Sequence, residues 1–392
     1  MIKRLLWPTG KTATRATVNV YDVLRSGENG LSSHQYARMT NNLLRPSTRF
    51  VNGPHVEFLE EFDRVGDAIF EDVHFFQTNY FKNAAECISF TGRYFEAKAD
   101  SQIRDVARNF VAAHKGVRPD AHKLEHGHNA PDDPIVVAKV AESKCWTLVS
   151  GNHRLASRWV KGERTAKVEI MEEVVRTPLQ DMLRDVHWQK NRTELYQPIP
   201  YPEVQDWPLV RKCSDRGALI IKYLENSNHR TAVDIGCSYG WFVRLLTQRG
   251  YDTYGIDRDL FALKIAELVY GVKSNTLIRD DILHFLANQR VPYDVVTCFS
   301  VIHHFALGLG AIGPEEFVSM LDRVTGSVLF FDTGQSHEAW FKNSLRVWDT
   351  AYIIEFIKKY TTFTKIDVLG VDTDNVGPYA DNYARTLFAC SR

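Results

Sequence analysis

The 392-residue chain has no excess of either charge: 48 Lys and Arg stand against 48 Asp and Glu. Proteins that neutralise nucleic-acid phosphates carry a basic face, so a nucleic-acid partner is not expected. Six cysteines, Cys87, Cys145, Cys213, Cys237, Cys298 and Cys390, include no C-x-x-C pair. That excludes a disulfide framework and a zinc signature, and points to reduced thiols, no metal and a cytoplasmic setting. No apolar run reaches membrane-spanning length. The opening MIKRLLWPTGKTATR is basic, but Pro8 cuts its apolar run short of a signal peptide. The glycine turn at 236–240 lacks the G-x-G-x-x-G pattern of the usual pyrophosphate-binding turn.

What the chain does contain is organised around residues 231–257, TAVDIGCSYGWFVRLLTQRGYDTYGID. A short apolar run leads into Asp234-Ile235-Gly236. A small-residue turn, Cys237-Ser238-Tyr239-Gly240, comes next. Trp241, Phe242, Leu245 and Leu246 follow at helical spacing. A second strand ends on Asp257. Glycines in such a turn let a ligand approach the backbone. An acid about twenty residues on can accept two hydrogen bonds from a ribose. The pattern is Asp-x-Gly-x-x-x-Gly, and a carboxylate two residues before the first glycine would repel a pyrophosphate. It suits a ligand carrying an amino group and a sulfonium.

This segment resembles the first two motifs of class I S-adenosylmethionine (SAM)-dependent methyltransferases. Arg279-Asp280-Asp281-Ile282 sits where that family places the acid and apolar residue around adenine. Residues 293–305, YDVVTCFSVIHHF, resemble its fourth motif, and Val328-Leu329-Phe330-Phe331-Asp332 its fifth strand. Ser238 stands where the family has its middle glycine, a departure that weakens the first motif taken alone. The resemblance implies that Asp234 accepts from the SAM amino group, that Gly236, Ser238 and Gly240 form the close-approach turn, and that Asp257 takes the ribose hydroxyls. It further places Asp281 and Ile282 at adenine and Ser300 beside the methionine moiety. His303 and His304 follow the fourth strand, where acceptors enter; either is a general base, or the pair only shapes the pocket. The fourth motif lacks Asn/Asp-Pro-Pro-Tyr/Phe, which argues against nucleobase amino-methylation. His337-Glu338-x-Trp340-Phe341 is a candidate lining for the acceptor pocket, and Arg216 and Lys342 are candidate cations for an anionic acceptor.

The N-terminal half reads as strand over 17–24, helices over 33–44, 55–62, 72–88 and 102–114, and an aromatic core that includes Phe70, Phe75, Phe76, Tyr80, Phe81, Tyr94 and Phe95. Two strands, 135–140 and 146–149, lead to Ser150-Gly151-Asn152-His153-Arg154 and a helix closed by Gly162. A turn feeding a helix N-terminus is a ready anion site. This block resembles the nucleotide-binding motif of the ParB/sulfiredoxin-like superfamily. The resemblance implies that Gly151, His153 and Arg154 hold phosphates, with ATP or CTP as ligand; a structural turn with a satisfied histidine is the bland alternative.

The expected fold is α/β: a Rossmann-like doubly wound seven-stranded methyltransferase sheet over 209–392, preceded by a smaller α+β ParB/sulfiredoxin-like domain over 1–172. Residues 173–208 hold a helix and a Pro-rich linker. The expected function is SAM-dependent methylation of an oxygen on a small molecule, a glycan or its phosphate. A sharper version makes the N-terminal domain a kinase and the whole a polysaccharide-capping kinase/methyltransferase. The alternative is a nucleotide-responsive ParB-like regulator or DNA-associated binding protein with a metabolite-sensing methyltransferase-like domain.

Overall fold

A computed structural model describes residues 12–25, 48–117, 134–187, 192–374, 377–382 and 384–392. The turn expected at 26–30 and the helix expected over 33–44 lie outside them. The chain divides into two compact units, Met1–Asp181 with Pro200–Asp206, and Met182–Ile199 with Trp207–Arg392.

In the first unit, strands β1 (Thr12–Asn19), β2 (Val23–Leu24), β3 (Ile135–Val140), β4 (Trp146–Ser150) and β5 (Thr165–Val175) form one sheet in the order β1-β5-β3-β4-β2. Its pairings are mixed: β3–β5 and β2–β4 are parallel, β1–β5 and β3–β4 antiparallel. The strand expected over 17–24 is interrupted by a 3-10 turn, Val20–Asp22, which the Asn19 side chain initiates by accepting the Tyr21 N–H at 3.0 Å. Helices α1 (Pro54–Val65), α2 (Asp72–Phe75), α3 (Asn79–Thr91), α4 (Ile103–His114) and α5 (Asn152–Val160) cover the sheet.

Local chemistry sets these ends. Pro54 opens α1 at a position where its missing N–H is not needed. The run expected as a single helix over 72–88 is two helices. The Thr78 hydroxyl accepts the Phe81 N–H at 3.1 Å and starts α3 as its N-cap. Phe58, Phe75, Tyr80, Tyr94 and Phe110 are buried in a core shared with Val137, Leu148 and Val168 of the sheet, so most of the aromatic run is packing.

Helix α6 (Pro178–Asp185) contains the first change of unit along the chain. In the second unit, β6 (Thr231–Ile235), β7 (Asp252–Asp257), β8 (Leu277–Arg279), β9 (Tyr293–Phe299), β10 (Thr325–Asp332), β11 (Lys365–Val371) and β12 (Thr386–Ser391) build a seven-stranded sheet in the order β11-β12-β10-β9-β6-β7-β8. The first five are mutually parallel, and β12 is antiparallel to both β10 and β11. Helices α7 (Ser214–Tyr223), α8 (Trp241–Gln248), α9 (Leu260–Tyr270), α10 (Ile282–Asn288), α11 (Ile302–Ala306), α12 (Pro314–Val324) and α13 (Thr350–Tyr360) complete it. This is a Rossmann-like α/β arrangement.

Residues 232–235 of β6 are all buried, as expected of a parallel strand covered on both faces. Phe317, Leu321, Ile353 and Phe356 pack on one side of the sheet, and Ile220, Phe242 and Leu246 on the other. The strand order reverses at β6, with β7 to one side and β9 to the other. Open α/β sheets bind ligands at such a reversal, beyond the carboxyl ends of the strands.

Candidate active site

The turn after β6 is pinned to the neighbouring strand. The N–H groups of Gly236 and Cys237 both donate to the Ile256 carbonyl, at 2.9 and 3.0 Å. Gly236 has φ +77°, and a Cβ there would stand 3.0 Å from Val301 Cγ2 and 3.7 Å from Ile282 Cδ1. Its lack of a Cβ therefore leaves room for the Val301 and Ile282 side chains beside the crevice that Gly236 lines. Gly240 serves differently: a Cβ there would meet Ala266 Cβ at 2.8 Å, so its glycine lets α9 pack against the turn. Ser238 and Ser300 hold left-handed conformations, φ 51° and 57°, at the carboxyl ends of the adjacent strands β6 and β9. Non-glycine residues at such angles are strained, and the strain sits at the mouth of the crevice.

Three carboxylates surround this mouth. Asp234 is buried, and its Oδ1 accepts the Thr297 hydroxyl at 2.7 Å. Burial, opposed by that bond and reinforced by repulsion from Asp257, pushes its pKa up to about 7. Asp257 closes β7 and accepts two backbone amides, Ser238 N–H and Asp259 N–H, each at 2.9 Å. Burial outweighs these bonds and raises its pKa above the usual carboxylate range. Asp281 is exposed and caps α10, accepting the Leu283 N–H at 2.9 Å.

A small cavity of about 10 Å³ lies over the turn, lined by Tyr196, Gln197, Arg211, Arg216, Asp234 and Gly236 among others. Arg216, on α7, is buried. Its Nη1 donates to Asp332 Oδ2 at 2.6 Å, while Nε lies 3.8 Å from Asp215 and Nη2 3.5 Å from Asp374. Neither Nε nor Nη2 makes a hydrogen bond. Asp332 also accepts the Ser300 N–H at 2.7 Å and its hydroxyl at 3.2 Å. Burial works against the Asp332 charge, but Arg216, Arg385 and Arg211 outweigh it and hold the carboxyl down at about 2.

Beyond β9, the two histidines part company. His303 is buried; its Nδ1 accepts the Gly334 N–H at 3.2 Å, and its ring stands 5.0 Å from Phe341. Burial, with Arg385 and His304 nearby, pushes its pKa well below the usual imidazole value. His304 is exposed, and its pKa is lowered by partial desolvation and by Arg385. Glu338 grips Arg385 through two bonds of 2.9 and 2.7 Å, and Arg385 reaches Ser300 Oγ at 2.8 Å. Of the segment expected to line an acceptor pocket, Glu338 and Phe341 are thus inside, and Trp340 is half exposed. Of the two candidate cations, Arg216 is committed to Asp332 and Lys342 is exposed.

Residues 209–319 match a family model described as a methyltransferase domain. The match lies within the C-terminal unit and includes β6 to β9. A curated relative, the ubiquinone biosynthesis O-methyltransferase of Proteus mirabilis (strain HI4320), is 25% identical over 138 residues, which are 34% of this chain and 52% of that protein. The chain thus spans about half the length of the curated relative it matches. Among solved structures, the bifunctional kinase-methyltransferase WbdD aligns with TM-score 0.43 and 19% identity over 54% of this chain and 46% of its own. Magnesium protoporphyrin IX methyltransferase (ChlM) from Synechocystis PCC 6803, with bound SAM, aligns with TM-score 0.33 and 17% identity over 45% and 78%.

Several residues of the C-terminal unit carry no local sequence signal for their roles. Gln197 sits in the Pro-rich stretch, yet its Oε1 accepts the Trp241 N–H at 3.2 Å, at the first residue of α8, and its Nε2 donates to the Cys237 carbonyl at 3.4 Å. The Arg216–Asp332 and Arg385–Glu338 pairs join residues 116 and 47 positions apart, so no local pattern signals them.

In the N-terminal unit, Gly151 has φ +105° and precedes α5, as the turn reading expects. The His153 ring lies stacked between Phe95 and Phe110, with centroids 4.3 and 4.0 Å away, and its Nε2 is 3.0 Å from the Tyr80 hydroxyl. Burial, helped by Arg154, pushes its pKa down to about 3, so the ring is neutral and carries no charge for a phosphate. Arg154 Nη2 donates to the Pro134 carbonyl at 3.1 Å. Among the described residues, no group of three or more His, Cys, Asp or Glu could hold a metal ion, and no helix is long and apolar enough to cross a membrane.

Proposed function

We propose that the C-terminal unit transfers a methyl group from SAM to an oxygen of a small molecule or glycan. The observation that carries this reading is the crevice over Gly236, ringed by Asp234, Asp257 and Arg216. Asp234 suits the ligand's ammonium, because a cation there relieves the burial that holds the carboxyl near neutrality. Asp257 stands at the tip of the next strand, where a ribose would find it. The two Arg216 N–H groups without hydrogen bonds suit the ligand's carboxylate. Ile282 gives adenine an apolar face. SAM supplies an activated methyl on its own leaving group, so the protein's contribution is alignment of the acceptor and exclusion of water.

For proton removal the geometry favours His304 over His303. His303 Nδ1 is already occupied as an acceptor, which leaves the proton of the neutral ring on Nε2. His304 is exposed, and its lowered pKa keeps it unprotonated at neutral pH. Trp340 beside Tyr379, ring centroids 5.4 Å apart, offers a sugar or flat acceptor an aromatic surface. For the N-terminal unit, Gly151 opening α5 supports a phosphate-bearing ligand such as ATP or CTP, held by backbone amides and Arg154 rather than by charge on His153. With a kinase reaction there, the chain would phosphorylate and methylate one glycan end.

The test incubates the protein with methyl-tritiated SAM and a cell extract, then separates small-molecule, glycan and protein fractions. Label in the glycan or small-molecule fraction, released by reagents that cleave O-methyl groups, is expected. Absence of transfer to every fraction, with SAM bound, contradicts it.

A further inference from the structure

A polar groove lies wholly within the first unit. It measures about 820 Å³, counting its open mouth, and Arg25, Glu57, Lys82, Asn83 and Glu86 line it with Asn52, Pro54 and Asn79. Two cations and two carboxylates therefore face one space, interleaved with three amides. Arg25 follows β2, Glu57 lies in the first turn of α1, and Asn79, Lys82, Asn83 and Glu86 fall on successive turns of α3.

One side chain makes this more than a polar surface. Asn83 is 5% exposed. Its Oδ1 accepts from the Arg25 guanidinium, but its amide Nδ2 has no hydrogen-bond partner. A buried N–H left without an acceptor is costly, and natural folds supply one from the protein, water or a ligand. Glu57 shows the complementary state. One of its oxygens accepts the Asn79 amide at 2.8 Å, which leaves further acceptor capacity facing the groove.

The geometry points to a binding site for a sugar or polyol bearing one phosphate. Arg25 and Lys82 supply the charge for the anionic group, and the Asn83 N–H gives one more donor at the bottom. Glu57, Glu86, Asn52 and Asn79 accept from and donate to hydroxyls around it. A nucleobase would want an apolar slot, and among the described residues Pro54 is the one apolar member of the lining. The site is independent of the methyl-transfer reading, since every lining residue belongs to the other unit.

Calorimetry on the full chain tests it with glucose 6-phosphate, glucose, inorganic phosphate and serine as probes. Binding of glucose 6-phosphate is expected, with glucose and phosphate each at least tenfold weaker. Arg25→Gln and Asn83→Leu should each weaken it tenfold or more. Asn83→Leu should leave thermal stability equal or higher, because the orphaned amide is gone. SAM affinity should not change in either variant, which separates failure here from failure of the methyltransferase reading. Serine binding in preference to the phosphosugar overturns the ligand class. No binding of any probe at 10 mM (about the weakest useful affinity on the Kd scale), or binding untouched by both variants, overturns the site.

Discussion

Arg216 Nη1 and Asp332 Oδ2 lie 2.6 Å apart with both side chains buried, tying the helix before the sheet to the end of its fifth strand. The pair does two things at once. It neutralises a carboxylate that orders Ser300, and it fixes a guanidinium that lines the cavity. Arg216→Met should lower stability by about 3 kcal/mol, since Asp332 loses its closest partner in a dry site. It should also weaken SAM binding ten- to a hundredfold. Adding Asp332→Leu should restore much of the stability but none of the SAM affinity. Chemical denaturation and calorimetry on the two variants check this; recovery of both together would assign Arg216 a structural role alone.

Asp234 sets a pH dependence. Its folded pKa, about 7, lies above the usual 3.8. The folded state thus holds a proton that the unfolded chain releases. The ligand-free protein is favoured at low pH and loses stability as pH rises from about 4 through 7, by about 2–4 kcal/mol. A cationic ligand reverses the preference by favouring the charged carboxylate. SAM should bind roughly tenfold more weakly at pH 6 than at pH 8. Asp234→Asn should flatten that profile, weaken binding, and stabilise the free protein at pH 8, as read by calorimetry and thermal melts.

The histidines separate by substitution. His304→Gln should reduce turnover about 10²- to 10⁴-fold and remove the acid limb of the pH–rate profile. His303→Gln should lower turnover less and leave that limb in place, because its ring shapes the wall against Phe341. An unchanged acid limb in His304→Gln would end its assignment as base.

Ser238 pays a conformational penalty at φ 51°. Ser238→Gly should raise stability by about 1 kcal/mol and leave the Asp257 bond intact, because that bond uses the backbone N–H. A fall in stability would show that the hydroxyl contributes something the strain reading omits.

The second unit was legible where its chemistry is local. Strand, turn, helix, strand and acid all fall within 231–257, and the register of apolar residues alone separates β6 from α8. Arg216, Arg385 and Gln197 were not legible in their roles, because each acts through a partner brought close only by the sheet. The Pro-rich stretch read as a spacer carries Gln197 onto the turn through bonds that no periodicity encodes. In the first unit, the single helix expected over 72–88 breaks at Thr78, where a hydroxyl that serves as a cap outcompetes continuous propensity. His153 looked like a phosphate donor because its neighbours in sequence are Gly151 and Arg154. The residues that fix its state, Phe95, Phe110 and Tyr80, lie far away along the chain.

The most direct test of the central claim is SAM affinity, measured by calorimetry, for the wild-type chain and for Asp257→Ala. Saturable binding of one SAM per chain, weakened about ten- to a hundredfold when the carboxylate that faces the ribose is removed, is the predicted result. Wild-type protein that takes up no SAM, or an Asp257→Ala variant that binds it as tightly, would contradict the account.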